Sequence, residues 1–308
     1  MPQPPFFIYV IHYLWYYTLK IRSLSREERL MDNFEPRCCF DASTYTGTPD
    51  AAPTGEILPV PELIAELDSL YHSGREAQAG AFLERWRERA AQMRDWRGEL
   101  SFLSELMGHY RRSGEREKAL EAVKAGLGII REHRLGETVS GATVMLNAAT
   151  TMKCFGLAED SLPYFRHVCR VYAARLDPSD YRFGGLYNNM ALSCADAGEY
   201  KEAERYFRLA MGVIARCKNP ENELAVTLCN LAELYDRQDP EDERIGECME
   251  KAWEHLNAPG LPRDGYHAFT ISKCAPSFDY FGYFVWAKVL KERAEKIYAG
   301  NGRGQGLL

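Results

Sequence analysis

Cysteine and histidine are the residues of this chain that could bind a metal or act as nucleophile and base. The nine cysteines contain no CxxC pair, and the seven histidines form no HExxH motif. The odd cysteine count fits free thiols in a reducing compartment, where most would pack as small apolar side chains. The adjacent Cys38 and Cys39 fit this interpretation least well. We predict no metal and no cofactor.

Clustered carboxylates are the other groups that could support acid–base chemistry. Glu159 and Asp160 form one cluster, and the segment DRQDPEDE around Pro240 holds another. Both lie where a helix is expected to begin, and the helix dipole stabilises negative charge there. The phosphate-binding patterns GxGxxG and GxxxxGK[ST] are absent from the sequence. The sequence therefore predicts a protein that is not an enzyme.

The overall composition is that of a folded protein, with 46% hydrophobic and 27% charged residues. The 38 basic residues are outnumbered by 44 acidic ones, and the two signs alternate in segments such as EREK and REHR. Nucleic acid is bound mainly through basic residues gathered on one face, so no nucleic-acid partner is expected. We expect a cytoplasmic protein whose partner is a protein or peptide.

Residues 6–19 read FFIYVIHYLWYYTL, and basic residues begin directly afterwards at Lys20. This run is shorter than the roughly 20 apolar residues that a membrane-spanning helix needs, and it lacks a signal-peptide cleavage site. Three interpretations stay open for residues 1–30. They could precede a true start at Met31 and be absent from the mature protein, form a short helix on the array or on a partner, or anchor the chain to a membrane. No membrane partner is expected in the first two cases.

Helix breakers recur with a period of 42 residues. Glycine occupies this position at Gly114, Gly156 and Gly198, and again after twice the period at Gly282. The missing position is Pro240, which lies in another turn sequence.

An apolar helical face lies on each side of these breakers. In the third unit, Tyr187, Met190, Ala191 and Cys194 recur at i, i+3, i+4 and i+7, and a second stripe follows in EYKEAERYFRLAMGVI. Each unit is therefore predicted to be two antiparallel helices joined by a tight turn. Five units begin near residues 100, 142, 184, 226 and 268, and a weaker one begins near 60, giving about six hairpins.

Alanine recurs where paired helices must approach closely, because a large side chain there would push the helix axes apart. The predicted close-packing alanines are Ala149, Ala191, Ala232 and Ala275 in the first helices and Ala119, Ala203, Ala210, Ala252, Ala287 and Ala294 in the second. Ala232 sits one place early in this register, and Met107 and Ile245 replace the small residue in their units.

With this register, the segment LYNNMALSCADAGEYKEAERYFRLAM resembles the tetratricopeptide repeat family and is similar to the 42-residue variety of kinesin light chains. The resemblance covers roughly residues 60–299. It implies an all-α fold, a right-handed superhelical α-solenoid of antiparallel helix hairpins whose first helices line a concave groove. The expected domains are an N-terminal segment (1–30), a linker (31–59), the array (60–299) and a disordered tail (300–308).

The resemblance further implies a scaffold or adaptor that binds a peptide or protein segment in this groove. Asn147 and Asn189 occupy equivalent first-helix positions, Asn188 lies beside the second, and Asn230 joins them if the offset of Ala232 also applies to it. Similar asparagines in kinesin light-chain repeats hold a peptide backbone, since a side-chain amide both donates and accepts. The alternative is that these side chains are satisfied by neighbouring turns.

Charged side chains and one tyrosine are expected on the same wall. They are Arg111, Arg112 and Lys153 at one end and Glu233, Asp236, Arg237, Lys273 and Tyr280 toward the other. Arginine suits carboxylates of a peptide, although exposed charges commonly serve only solvation. The alternative function is a peptide-responsive regulator that switches a partner protein.

The oligomeric state also stays open, because the end repeats could associate. The outward face of the last predicted helix carries Lys288, Lys291, Glu292 and Glu295, which is typical of a solvated cap.

Overall fold

The computed structural model describes residues 57–72 and 75–303, and in these residues all regular structure is helical. The α-helices are α1 (Val60–His72), α2 (Glu76–Met93), α3 (Trp96–Ser113), α4 (Arg116–Glu132), α5 (Val139–Cys154), α6 (Ala158–Arg175), α7 (Arg182–Asp196), α8 (Tyr200–Ile214), α9 (Glu221–Gln238), α10 (Arg244–Leu256), α11 (Gly265–Tyr280) and α12 (Phe284–Arg303). A short 3-10 helix, Leu135–Glu137, precedes α5. The predicted all-α repeat fold is confirmed.

The helices pair as six hairpins, in which the odd-numbered helices are the first helices and the even-numbered ones the second. The predicted breakers Gly114, Gly156, Gly198 and Gly282 have φ between 73° and 87° and lie at the turn inside a hairpin. Glycine adopts this left-handed conformation without steric cost, so it ends the first helix. Pro240 lies in the corresponding turn between α9 and α10.

All ten predicted close-packing alanines are buried. None of them is more than 4% exposed. The same register that locates the turns therefore also locates the points at which helices approach most closely.

The unusual Met107 is accommodated by a glycine in the facing helix. Met107 is fully buried in α3, and a Cβ built on Gly126 of α4 would lie 2.8 Å from the Met107 Cε. The position of Gly126 is occupied by Ala210 two repeats later and by Ala252 three repeats later. The Met107 side chain thus occupies the space beside Gly126, where α4 has no side chain. In other repeats two smaller residues, one on each helix, fill this space.

Two glycine substitutions are expected to change stability in opposite directions. A Cβ on Gly141 would collide with the carbonyl oxygen of Leu135, so Gly141→Ala should displace the turn before α5 and cost about 1–3 kcal/mol. A Cβ on Gly128 would have no atom within 4 Å, so Gly128→Ala should gain up to about 1 kcal/mol from helix propensity. Denaturant unfolding of both variants measures the difference. Equal stabilities would contradict the close approach at Gly141.

Several predictions concern residues outside the described ranges. The alternatives for residues 1–30, the linker up to residue 56 and the Cys38 and Cys39 pair all lie there. At the other end, α12 continues to Arg303, four residues beyond the predicted end of the array at residue 299. No helix in the described part of the chain is long and apolar enough to cross a membrane.

Candidate functional site

Polar side chains join α3 to α5, α7 to α9 and α9 to α11, which are neighbouring first helices of the array. The bonded residues are 40 to 45 positions apart, close to one repeat. The pairs are Ser104–Asn147, Arg111–Thr151, Asn188–Asn230, Asp196–Arg237, Asn222–His267, Glu223–Tyr266, Glu233–Ser277 and Asp236–Tyr280. We call the surface formed by these side chains the first-helix face.

Two predicted site residues, Asn147 and Arg111, link α3 to α5. Asn147 is 2% exposed, and its Nδ2 donates a hydrogen bond to the Ser104 Oγ at 2.7 Å. The guanidinium of Arg111 donates to the Thr151 Oγ1 at 2.7 Å, and this hydroxyl donates to the Asn147 carbonyl oxygen at 2.7 Å. Ser104 and Thr151 were not among the residues predicted from the sequence. They lie 43 and 40 residues from their partners, so a fixed period of 42 does not pair them.

Asn188 and Asn189 are both buried in α7 and make different contacts. The Oδ1 of Asn188 accepts a hydrogen bond from the Nδ2 of Asn230 in α9 at 3.4 Å, whereas the Nδ2 of Asn189 donates to the Gly185 carbonyl oxygen at 3.1 Å. Asn230 thus meets Asn188 at a spacing of 42, without the one-place offset considered for it from the sequence. The Nδ2 of Asn188 is buried and makes no hydrogen bond with the described residues.

The predicted basic end of the face is partly buried. Lys153 is fully buried in α5, and Arg111 is 8% exposed. Arg112 is exposed, and its guanidinium carbon lies 4.5 Å from the ring centroid of Tyr71 in α1. A partner could therefore reach Arg112 more readily than the other two cations.

The opposite end, formed by α9 and α11, keeps its charged groups nearer to solvent. Glu233 is half-buried and accepts a hydrogen bond from the Ser277 Oγ at 2.9 Å. Arg237 is exposed and donates to Asp196 at 2.7 Å, and Lys273 is half-buried. Asp236 accepts from the Tyr280 hydroxyl at 3.0 Å. Charges of both signs are thus present within this part of the face.

Two thiols on the first helices, those of Cys194 and Cys229, are protonated at neutral pH. Burial and the nearby Glu199 raise the pKa of Cys194 to about 12, and a hydrogen bond with Cys274 together with burial raises the pKa of Cys229. A protonated thiol is a poor nucleophile and metal ligand, so these side chains act as small apolar groups. Within 57–72 and 75–303, no three metal-ligating side chains are grouped.

Comparison with known families identifies the repeat. The family model for tetratricopeptide repeats matches residues 183–244, which comprise nearly all of α7, all of α8 and α9, and the start of α10. Residues 183–244 carry tetratricopeptide repeats. This outcome confirms the resemblance drawn from the alanine and glycine register, and the hairpins on either side continue the same arrangement. Tetratricopeptide repeats generally serve as protein-interaction scaffolds and are typically not enzymes.

Solved structures similar to this chain include two kinds of kinesin light chain-like protein. One is a protein of Podosopora anserina described as a kinesin light chain with nearly identical TPR-like repeats, with 16% identity, a TM-score of 0.48 and coverage of 68% of this chain and 98% of that one. Another is BtubC (BKLC) of P. vanneervenii, with 17% identity, a TM-score of 0.48 and coverage of 82% and 94%. No curated protein matches this chain closely enough to count as a relative.

Proposed function

We propose that this chain is a scaffold or adaptor that binds a peptide or protein segment on the first-helix face. The observation that carries this proposal is the side-chain amide of Asn230, which is half-buried and so remains partly accessible on α9. Its Nδ2 donates to the Oδ1 of the fully buried Asn188 at 3.4 Å. A side-chain amide both donates and accepts, which favours binding of a backbone irrespective of its side chains.

The partner segment approaches along α9 and α11 in this proposal. Asn230, Glu233 and Lys273 are half-buried and Arg237 is exposed, so they can contact a segment at the surface. The more deeply buried side chains pack beneath this surface and do not contact the segment. They are Asn147, Asn188, Asn189, Arg111 and Lys153. The mixed charge of α9 and α11 suits a segment that carries both a carboxylate and an ammonium or guanidinium group.

In the described part of the chain, Cys169, Cys194, Cys229, Cys248 and Cys274 are free thiols. Free thiols persist in a reducing environment, which supports the proposed cytoplasmic location.

The binding role can be tested with Asn230→Leu. Leucine has a similar shape but neither donor nor acceptor, so peptides selected from a random library on the wild-type chain should bind this variant about tenfold more weakly, or about 1.4 kcal/mol. Stability should change little, because the Asn230 side chain is half-buried and its hydrogen bond with Asn188 is long at 3.4 Å. Fluorescence anisotropy with labelled peptides measures the affinity, and circular dichroism measures unfolding.

Lys251→Ala is the matched control for this experiment. Lys251 is exposed in α10 and is 3.7 Å from Glu247, away from the first helices, so its removal should leave peptide affinity unchanged. A second variant, Asn230→Arg, should obstruct the half-buried surface at this position with a larger side chain. Selected peptides that bind both Asn230→Leu and Asn230→Arg as tightly as the wild type would overturn the proposed binding face.

A further inference from the structure

The last hairpin exposes more large apolar side chains than the rest of the described chain. Of the seven exposed large hydrophobic residues, five belong to α11 and α12: Tyr280, Phe284, Val285, Val289 and Tyr298. Val285 is 74% exposed, the highest value among them.

The exposure of the two valines is not simply due to the end of the array. At intervals of 42 residues, Val285 corresponds to Glu243, Lys201, Glu159 and Glu117, all of them exposed. Val289 corresponds in the same way to Glu247, Arg205, Pro163 and Glu121, also exposed. These positions face solvent in all four of those repeats, at least one of the two is charged in each, and only in α12 are both occupied by valine. Apolar side chains at solvent-facing positions are typical of an interface rather than of a solvated surface.

A neighbouring face of α12 is open because no helix follows it within the described residues. In earlier second helices the position of Lys291 is held by Phe165, Phe207 and Met249, all buried. The position of Tyr298 is likewise held by Tyr172, Ile214 and Leu256, also buried. In α12, Lys291 is exposed and Tyr298 is 48% exposed. The face that normally receives the next repeat is thus available in α12 and is charged.

The exposed residues of α12 follow an order that complements itself when reversed. Spacings of three and four residues bring one stripe to a common side of the helix. Along the chain it runs Phe284, Val285, Lys288, Lys291, Glu292, Glu295, Tyr298 and Ala299, all exposed. When two copies of this helix lie antiparallel, the basic groups of each copy face the acidic groups of the other, and the apolar groups at each end face apolar groups.

We propose that a second copy of this chain docks on α12, with the two helices antiparallel about a two-fold axis between Lys291 and Glu292. In this register Lys288 lies opposite the Glu295 of the second copy, and Lys291 lies opposite its Glu292. Val285 packs against the Tyr298 of the second copy at both ends. A two-fold interface requires such self-complementarity, which a patch of a single charge lacks.

The ion pairs within one copy leave these charges able to change partners. Lys288 is 3.9 Å from Glu292, and Lys291 is 3.3 Å from Asp279. Both pairs are exposed, and exposed pairs contribute little to stability. The dimer is therefore expected to form reversibly and to weaken as salt concentration rises.

Charge reversal in matched variants tests the proposal. One full-length variant carries Lys288→Glu and Lys291→Glu, and the other carries Glu292→Lys and Glu295→Lys. Each variant alone should be monomeric in sedimentation equilibrium, because like charges then face each other. An equimolar mixture should dimerise, because one acidic and one basic helix restore every opposed pair.

Two single-site variants complete the test. Val285→Glu introduces the residue found at the equivalent Glu159 and should weaken dimerisation of an otherwise wild-type chain at least tenfold. Lys251→Glu on the outer face of α10 should leave it unchanged. A wild-type chain that stays monomeric at all concentrations would overturn the proposal. So would a dimer that persists in both charge variants separately.

Discussion

Replacing Phe207 by alanine is expected to lower the free energy of unfolding by about 3–5 kcal/mol. Phe207 is fully buried in α8, in the core that α7, α9 and α10 share. The equivalent side chains Phe165 and Met249 are also fully buried, so this position joins each hairpin to the next. Removing the ring loses its apolar contacts and leaves a cavity between hairpins that rigid helices can close only in part.

Leu209→Ala is the matched control for Phe207→Ala. Leu209 lies two residues further along the same helix and is 40% exposed, so its truncation should cost less than about 1 kcal/mol. Urea unfolding followed by circular dichroism measures both, and the slope with urea must be compared because repeat arrays can unfold in steps. Equal losses for the two variants would contradict the role of Phe207 at the hairpin junction.

The hairpins could be predicted from the sequence because two kinds of residue mark them. A left-handed turn favours glycine, so Gly114, Gly156, Gly198 and Gly282 report the turn positions directly. A close helix crossing favours alanine, so the alanine register reports which faces meet. Both constraints are local to one hairpin and repeat with it.

Contacts between repeats were harder to predict because the spacing of the first helices varies. They begin at Trp96, Val139, Arg182, Glu221 and Gly265, which gives intervals of 43, 43, 39 and 44 residues. The hydrogen bonds between them accordingly span 40 to 45 residues. A single register of 42 matches the Asn188–Asn230 spacing but not Arg111–Thr151 or Asn222–His267, and the sequence-based alignment placed Asn230 with Asn147 and Asn189 instead.

The depth of the candidate site residues also could not be predicted from the pattern. Asn147 and Asn230 both lie off the apolar stripe of their helices, and on that basis they are indistinguishable. Asn147 is nevertheless 2% exposed, while Asn230 is half-buried. The difference depends on how closely neighbouring first helices approach. The hydrophobic period of a single helix gives no information about that distance. That these residues contact a bound peptide stays a prediction.

Acidification is expected to destabilise the last two hairpins through His267. This side chain is fully buried in α11, and burial, with Arg293 and Arg263 nearby, lowers its pKa from 6.5 to about 4. Asp264 acts in the opposite direction but does not prevent the shift. The Nδ1 of His267 lies 2.9 Å from the Asn222 Oδ1 in α9, so the neutral ring joins two first helices.

The direction of the pH dependence follows from proton uptake. Below pH 6.5 the unfolded chain binds a proton at His267 that the folded chain does not bind until about pH 4. Stability from this group is therefore complete above pH 6.5 and is lost as the pH falls toward 4. The loss amounts to about 2 kcal/mol by pH 5 and about 3 kcal/mol below the folded-state pKa.

Comparing the wild type with His267→Gln isolates this contribution. Glutamine does not titrate, so the variant should lose about 2 kcal/mol less than the wild type between pH 7 and pH 5, whatever its stability at pH 7. Other titrating groups are common to both chains and cancel in the difference. His167→Gln in α6 serves as the control, because His167 is half-buried with its Nε2 2.8 Å from the Gly136 carbonyl oxygen, away from α11. If His267→Gln and the wild type lose equal stability on acidification, the imidazole is not the group that makes this part of the array sensitive to acid.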